Sequence, residues 1–478
     1  GWWFQGGKRS LLCPQGIGTV DQGLIGVLQS RHGFLRLYGL TGRTVIFDEV
    51  HAYDTYTGGL IERLISWLQA LGCRVVVMSA TLPETRRQAL LKSWASVDEV
   101  ELPTEDSYPR ISWALPGMVQ ATTFSAGREQ QIEVRGMLPD AAEIASQASA
   151  WAHEGVRVLV VVNKVARAQR IFRLLRTSTR ATLFHARFPM EQRLEIEAGV
   201  LTQFGPAGSC AGGHVLVATQ VAEQSLDIDF DVLITDPAPV YLVLQRLGRI
   251  HRHPRARAEG FGKPMIYLAD LESLLPSEDL TSFVYDRWDV LRSVAWLREN
   301  RQMSLPEDID RAVQEVYGSW QPAGPEALLA ELTHACKAHQ VSQARMRTQA
   351  NQVAIGLPED WSLSQDQSHR VGDDAAETDA LRFGTRLGGD SETVIPVTPV
   401  DLADLECRAH VLRQRYLRIG HPQLIQAARS APTPDGWNAQ AGLAPYRPLL
   451  LDQERRVQSV PVNARLDPVL GLVVGVIE

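Results

Sequence analysis

The chain reads as an α/β protein with two parallel-sheet domains, followed by a helical region and a small mixed C-terminal domain. Three observations predict this. Short apolar runs alternate with stretches of helical periodicity, first around Val45 and Val75 and again from Val158 to Ile234. Each run ends in polar residues, at the carboxyl end where an open parallel sheet places its ligands. The alternation lapses over residues 105 to 137, where Pro109, Pro116, Gly117 and Gly127 fall, so a junction is expected at 106–137.

Taken in order, Val45-Ile46-Phe47 is an apolar strand that stops at Asp48-Glu49-Val50-His51. Leu60, Ile61, Leu64, Ile65, Leu68 and Leu71 recur at helical spacing, and Gly72 ends that helix before the strand Val75-Val76-Val77-Met78. The second strand ends in Ser79-Ala80-Thr81, with Pro83 opening the next helix. Continuous apolar runs of this kind predict strands covered on both faces. The first domain is therefore placed at 1–105 and the second at 138–280, where strands ending at Asn163, His185, Thr219 and Asp236 alternate with helices. Residues 281–362 read as helical, the polar stretch 363–380 as a linker, and 381–478 as a terminal domain of short strands with a helix near 401–427.

A length of 478 residues suggests two to four domains, and 45% hydrophobic with 22% charged residues is ordinary for globular chains. No apolar run approaches a membrane span, so no membrane partner is expected and a cytoplasmic location is. A net charge of -7 excludes a broadly basic coat, so any nucleic acid must lie in a local groove. Cys13, Cys73, Cys210, Cys336 and Cys407 are scattered without a Cys-x-x-Cys pair, and His334, Cys336 and His339 lack a second ligand pair, so no zinc is assigned.

Asp48 and Glu49 suit a Mg²⁺-nucleotide site, one acid holding the metal and the other taking a proton from the attacking water; solvated acids at a strand end are the plain alternative. Gly16-Ile17-Gly18-Thr19 could hold a nucleic-acid backbone through glycine N–H groups and the Thr19 hydroxyl, or could simply cap a helix. Gly6-Gly7-Lys8 is not a phosphate loop, because an aromatic cluster precedes it and Arg9 intervenes before Ser10. Gln245-Arg246-Leu247-Gly248-Arg249-Ile250-His251-Arg252 reads as a helix presenting cations at three-residue steps, fit to bind phosphate or to stay solvated.

Asp48-Glu49-Val50-His51, Ser79-Ala80-Thr81 and the arginine series stand in the order and spacing of superfamily 2 helicase motors, whose two RecA-like domains clamp ATP. More narrowly, Gly18-Thr19-Val20-Asp21-Gln22, Phe47 to Asp54, Glu223-Gln224-Ser225-Leu226-Asp227-Ile228-Asp229, Thr385-Arg386-Leu387-Gly388 and Leu466 to Leu472 resemble the CRISPR-associated helicase-nuclease of type I systems. The resemblance implies two RecA-like parallel-sheet motor domains, ATP and Mg²⁺ as cofactors, single-stranded DNA as a partner, and recruitment by an RNA-guided type I CRISPR surveillance complex.

It also implies roles. Asp48 would hold Mg²⁺ and Glu49 activate water, while His51, Ser79 and Thr81 would couple nucleotide state to the DNA track. Thr219, Gln220, Glu223 and Asp227 would line the interdomain cleft, some on ribose or Mg²⁺ and some on DNA, with Arg246 among the nucleotide-binding residues. Gln245, Arg249 and Arg252 would meet the γ-phosphate, and Thr19, His185 and Arg187 would touch the DNA backbone.

The departures lie at the front. Members of that family begin with a metal-dependent nuclease built on a His-Asp motif, and no His-Asp dipeptide occurs here. No phosphate-loop lysine is found either, so the first motor is expected to be incomplete and the isolated chain to hydrolyse ATP poorly. A chain that begins at Gly1 without a signal peptide is expected to be the later part of something longer, or to be completed by a second chain. The alternatives are a non-catalytic module that binds DNA or the surveillance complex, and, less favoured because Gln224-Ser225 replaces Arg-Gly, an RNA helicase of the DEAD-box type.

Overall fold

The structure, a computed structural model, describes residues 10–30, 33–50, 53–95, 108–115, 118–125, 127, 129–208, 210, 212–223, 226–360, 391–440 and 442–475. They fall into two compact units, Gly1–Glu129 with Pro306–Leu387, and Gln130–Leu305 with Gly388–Glu478.

In the first unit, β1 (Thr44–Phe47) and β2 (Arg74–Val77) pair in parallel with Phe47 opposite Val77. The helix Thr55–Ala70 connects them, its first turn capped by Asp54, which accepts from Thr57 N at 2.8 Å. Its apolar face, Leu60, Ile61, Leu64, Ile65 and Leu68, packs with Phe47 and Cys73 and with Ala350 of the long helix Glu326–Val353. β3 (Arg110–Leu115) and β4 (Met118–Thr123) form an antiparallel ribbon, tied by an Arg110–Asp310 ion pair at 2.5 Å to the helix Glu307–Tyr317. The expectation of strands covered on both faces fails here. Helices pack against Val45, Val75 and Val77, but Ile46, Val76 and Met78 are 60%, 43% and 46% exposed on the other side.

The second unit carries β5 (Gln130–Met137), β6 (Arg157–Val161), β7 (Ala181–Phe184), β8 (His214–Ala218), β9 (Val232–Thr235), β10 (Met265–Ala269) and β11 (Gln302–Leu305) in one sheet, in the order β11-β5-β10-β9-β6-β8-β7. All neighbours are parallel except β11, which runs antiparallel to β5. Here β8 and β9 are buried along their whole length, as continuous apolar runs predict.

Residues 391–475 add a mixed sheet of β12 (Glu392–Val397), β13 (Leu417–Ile419) and β14 (Arg447–Leu450), and a hairpin of β15 (Ala464–Asp467) and β16 (Gly471–Val474). Leu472 belongs to the core of that mixed sheet, whereas Leu470 and Val473 enter the core around β6 and β8.

Three expected boundaries shift. The 106–137 segment holds the β3–β4 ribbon and also β5, whose polar sequence hides a strand with only Ile132 and Val134 turned fully inward. The 281–362 region divides. Arg287–Glu299 belongs to the second unit, where Ser293 Oγ accepts from Val240 N at 2.9 Å, while Glu307–Tyr317 and Glu326–Val353 belong to the first. Residues 381–478 are no separate body, because β16 shares its side chains between two cores. The 363–380 linker and Thr385 to Gly388 lie outside the described residues.

Candidate functional site

The parallel register of the first unit sets two polar strand ends side by side. Met78 N donates to Phe47 O at 2.8 Å and Val50 N to Met78 O at 3.4 Å, so Asp48-Glu49 lies against Ser79-Ala80-Thr81. Both acids are exposed, and Glu49 has φ 55, a left-handed conformation costly for a residue with a Cβ and often found at functional positions. Among the described residues no side chain or N–H donates to the Asp48 carboxylate. A solvent-facing carboxylate of this kind fits Mg²⁺, which takes hard oxygen ligands and keeps several waters.

Thr81 is 3% exposed, and its hydroxyl has no hydrogen-bond partner among the described residues. A cavity of about 350 Å³ lies beside it, lined by Val75, Val77, Ser79, Trp94, Tyr108 and Arg110 among others. Thr19 stands at the N-cap of the short helix Val20–Leu24, is exposed, and makes no side-chain cap bond, so its hydroxyl is not spent on capping. His51 and the Gly6-Gly7-Lys8 segment lie outside the described residues.

In the second unit the segment from Thr219 to Asp227 follows β8 and leads toward β9, and Arg246, Arg249 and Arg252 each bond to it; Gln245 stands beside Arg246 on the helix Val240–Leu247. The expectation of one arginine-bearing helix is corrected. The helix Val240–Leu247 ends at Gly248, and a bridge between Ile250 and Phe230 draws the chain back along the sheet. Arg246, still on the helix, points inward and is 1% exposed. Its guanidinium donates to Glu223 Oε1 at 2.7 Å, Thr235 Oγ1 at 2.5 Å, Asn163 Oδ1 at 3.3 Å and the Tyr285 hydroxyl at 2.9 Å. Burial works against its charge, and Glu223, Tyr285 and Asp236 together hold the group above its ordinary value. Arg246 therefore fastens the floor of the site and offers no face to a nucleotide.

Arg249 and Arg252, beyond the helix, both reach the 223–227 loop. Arg249 donates to Leu226 O at 2.6 Å and Glu223 O at 2.8 Å, and Arg252 Nε donates to Asp227 Oδ1 at 2.6 Å. His253 reaches the same Asp227 oxygen at 2.8 Å, and that bond, with help from Arg252, holds the Asp227 carboxyl below its usual range. Gln220 Nε2 donates to Asn163 O at 3.1 Å and to the Tyr285 hydroxyl at 3.2 Å, and Thr219 is 2% exposed.

Sequence reasoning passed over Arg255 and Arg257, each paired with both Asp229 and Asp231 between 2.6 and 3.0 Å. These pairs fix the loop that carries Arg249 and Arg252. The signal was the Asp-x-Asp and Arg-x-Arg spacing of the two segments.

His185 is corrected as a DNA contact. It is 0% exposed, stacks on Phe188 at 4.4 Å, and has both ring nitrogens engaged, so no part of it is open to a phosphate. Arg187, two residues on, is partly buried, and its guanidinium has no hydrogen bond or ion pair among the described residues.

A family profile described as CRISPR-associated nuclease/helicase Cas3, C-terminal, matches residues 154–255, the stretch from β6 to the arginine loop. The CRISPR-associated endonuclease/helicase Cas3 of Thermus thermophilus is 34% identical over 98% of this chain and 58% of its own length. That of Escherichia coli is 36% identical over 68% of this chain and 38% of its own length. The crystal structure of T. fusca Cas3-ATP superposes with a TM-score of 0.83 at 28% identity, covering 98% of this chain and 58% of that one. A chain of a CRISPR RNA-guided surveillance complex, pre-nicking, gives 0.77 at 28% identity, covering 98% and 61%.

The profile and these relatives are described as CRISPR-associated proteins of the nuclease/helicase class, and the chain falls with them. More particularly, the chain belongs to the family of CRISPR-associated nuclease/helicases named Cas3. It spans about half the length of the curated relatives it matches.

Proposed function

We propose that the chain is the ATP-dependent, single-stranded DNA translocating portion of a Cas3-type protein, acting on target DNA after recruitment by an RNA-guided surveillance complex. The observation that carries this reading is the convergence of Arg249 and Arg252 on the 223–227 loop in the second unit. Arginines at a strand-end loop are suited to stabilising charge on a transferring phosphoryl group. Asp48 would hold Mg²⁺, which supplies charge neutralisation on the phosphates. Glu49 is placed to take a proton from water. Thr19 and Arg187 supply backbone-type contacts, which carry no sequence information.

The test is fluorescence anisotropy of single-stranded oligonucleotides of differing sequence, read across a salt series. Affinity should be indifferent to sequence and should fall steeply with salt. A flat salt response, or strong sequence dependence, overturns the reading.

One observation favours a second reading, a subunit or module completed by further polypeptide. Ile46, Val76 and Met78 present an apolar face on the uncovered side of β1 and β2, where a parallel sheet is ordinarily covered. Under that reading the chain alone binds DNA or the surveillance complex without turning over ATP.

A further inference from the structure

The turn after β7 is held from a point far along the chain. Arg187 N donates to His185 Nδ1 at 3.1 Å, so the ring proton sits on Nε2, which donates to Leu470 O at 3.0 Å. Leu472 N donates to Arg187 O at 2.8 Å. Gln169, 2% exposed, donates from Nε2 to Leu470 O at 2.7 Å and to Leu472 O at 3.3 Å. Asp467 shapes the hairpin turn itself, accepting from Val469 N at 2.8 Å and Leu470 N at 3.0 Å.

Gly471 lies at the centre of this contact with φ +67. A Cβ there would stand 2.7 Å from Arg187 O and 2.9 Å from His185 Cε1. Only glycine meets both demands, the left-handed backbone and the close approach. Both backbone groups of Arg187 are therefore fixed, one by His185 and one by β16, while its guanidinium is left partly buried and without a partner among the described residues. Burial pulls that guanidinium below its ordinary value, and an uncompensated cation in such a place is a site for an anion.

We infer that the β15–β16 hairpin is a clamp that positions Arg187 for a nucleic-acid phosphate, with Gly471, Gln169 and His185 as positioning residues acting through it. The inference rests on the reading that the second unit binds single-stranded DNA. It gives the C-terminal region a part in DNA binding without requiring any of its own residues to touch DNA. The accessory sheet and the DNA-facing turn then move as one piece, because Leu472 packs in the accessory core while Leu470 and Val473 pack under β7 and β8.

The experiment is a double-mutant cycle on the whole chain, pairing Gly471→Ala with Arg187→Ala, and separately Gln169→Leu with Arg187→Ala. Anisotropy of a labelled single-stranded oligonucleotide gives the affinity, and hydrogen exchange gives the protection of residues 185–188. Gly471→Ala and Gln169→Leu should each weaken binding about 10-fold and lower the salt slope by about 0.7, the share of one phosphate contact on a single strand. Both effects should vanish in the Arg187→Ala background, as coupled positions require and as general unfolding would not produce. Exchange at 185–188 should rise in both variants with protection at β8 and β9 unchanged. Additive losses, an unchanged salt slope, or unchanged exchange at 185–188 overturns the inference while leaving the function reading in place. Failure of the unaltered chain to bind the oligonucleotide overturns both.

Discussion

Arg252 Nε donates to Asp227 Oδ1 at 2.6 Å, and His253 Nε2 meets the same oxygen at 2.8 Å, so one carboxylate aims two basic groups. Arg252 and Asp227 are 44% and 49% exposed, and an exposed pair of this kind adds little to stability. Its value lies in direction.

In an enzyme with a complete nucleotide site, Arg252→Ala should therefore cost on the order of 10³-fold in DNA-stimulated hydrolysis. Asp227→Asn keeps the guanidinium but loosens its aim, and should cost on the order of 10²-fold. Both should melt within a degree or two of the parent. Steady-state phosphate release with a thermal scan checks this; an Asp227→Asn enzyme as fast as the parent would show that the carboxylate does not aim the arginine.

Arg246 and Glu223 behave differently because they are sealed, with side chains 0% and 5% exposed. Glu223→Gln leaves a buried guanidinium without its counter-charge, and losses of about 3–5 kcal/mol are typical of such a broken pair. The expected signature is a lower urea midpoint for the second unit. A variant with an unchanged midpoint and a raised KM for ATP would return Arg246 to the nucleotide site.

Three histidines of the second unit are buried in the neutral form. Burial, reinforced by Arg187, pulls His185 down to about 3; burial with Arg180 takes His214, and burial with Arg257 takes His251, to about 4. Each folded value lies below the ordinary 6.5, so the stabilisation is whole above pH 6.5 and is lost as pH falls toward the folded values. In that window each ring should remove about 1.4 kcal/mol per pH unit. Urea midpoints at pH 7 and pH 5 should differ sharply, and His214→Asn should flatten the fall by about a third. Equal midpoints at the two pH values would show that these rings are charged in the fold.

How far the sequence foretold this depended on how local each signal was. β1, β2 and the β6 to β9 strands are apolar runs with turn residues at their ends, and the strand itself follows from the run. β5 has two inward apolar residues among polar ones and becomes a strand only by pairing with β10 and β11. The grouping of Glu223, Asp227, Arg249 and Arg252 was foreshadowed by residue type and order. Arg249 and Arg252 were set on one helix with Arg246 because the three-residue step assumed a helix that Gly248 ends, and Arg246 itself turns inward to Glu223. His185 was misplaced because the carbonyl that claims its ring lies 285 residues away. The open faces of Ile46 and Val76 were invisible for the opposite reason: an apolar run states a demand for cover, not its supply.

That unmet demand bears on ATP. The sequence contains no Gly-x-x-x-x-Gly-Lys-Ser/Thr segment, and without such a loop nothing cradles the β- and γ-phosphates. Phosphoryl transfer is catalysed almost wholly by positioning and charge stabilisation, so Glu49 and the arginines acting on an unplaced phosphate accomplish little. The chain alone should therefore release phosphate slowly or not at all, with or without DNA. A phosphate-loop segment supplied in cis or as a second chain should cover Ile46 and Val76, and DNA-stimulated turnover should appear with it. In that completed enzyme Glu49→Gln should abolish turnover and leave ATP binding intact, because the amide cannot take the proton of the attacking water. Phosphate release and nucleotide binding, measured on the chain, the completed enzyme and its Glu49→Gln variant, decide the matter. Robust turnover by the chain alone would show that its phosphate site is already whole, and full activity of the Glu49→Gln enzyme would remove Glu49 from the chemistry and the acid pair with it.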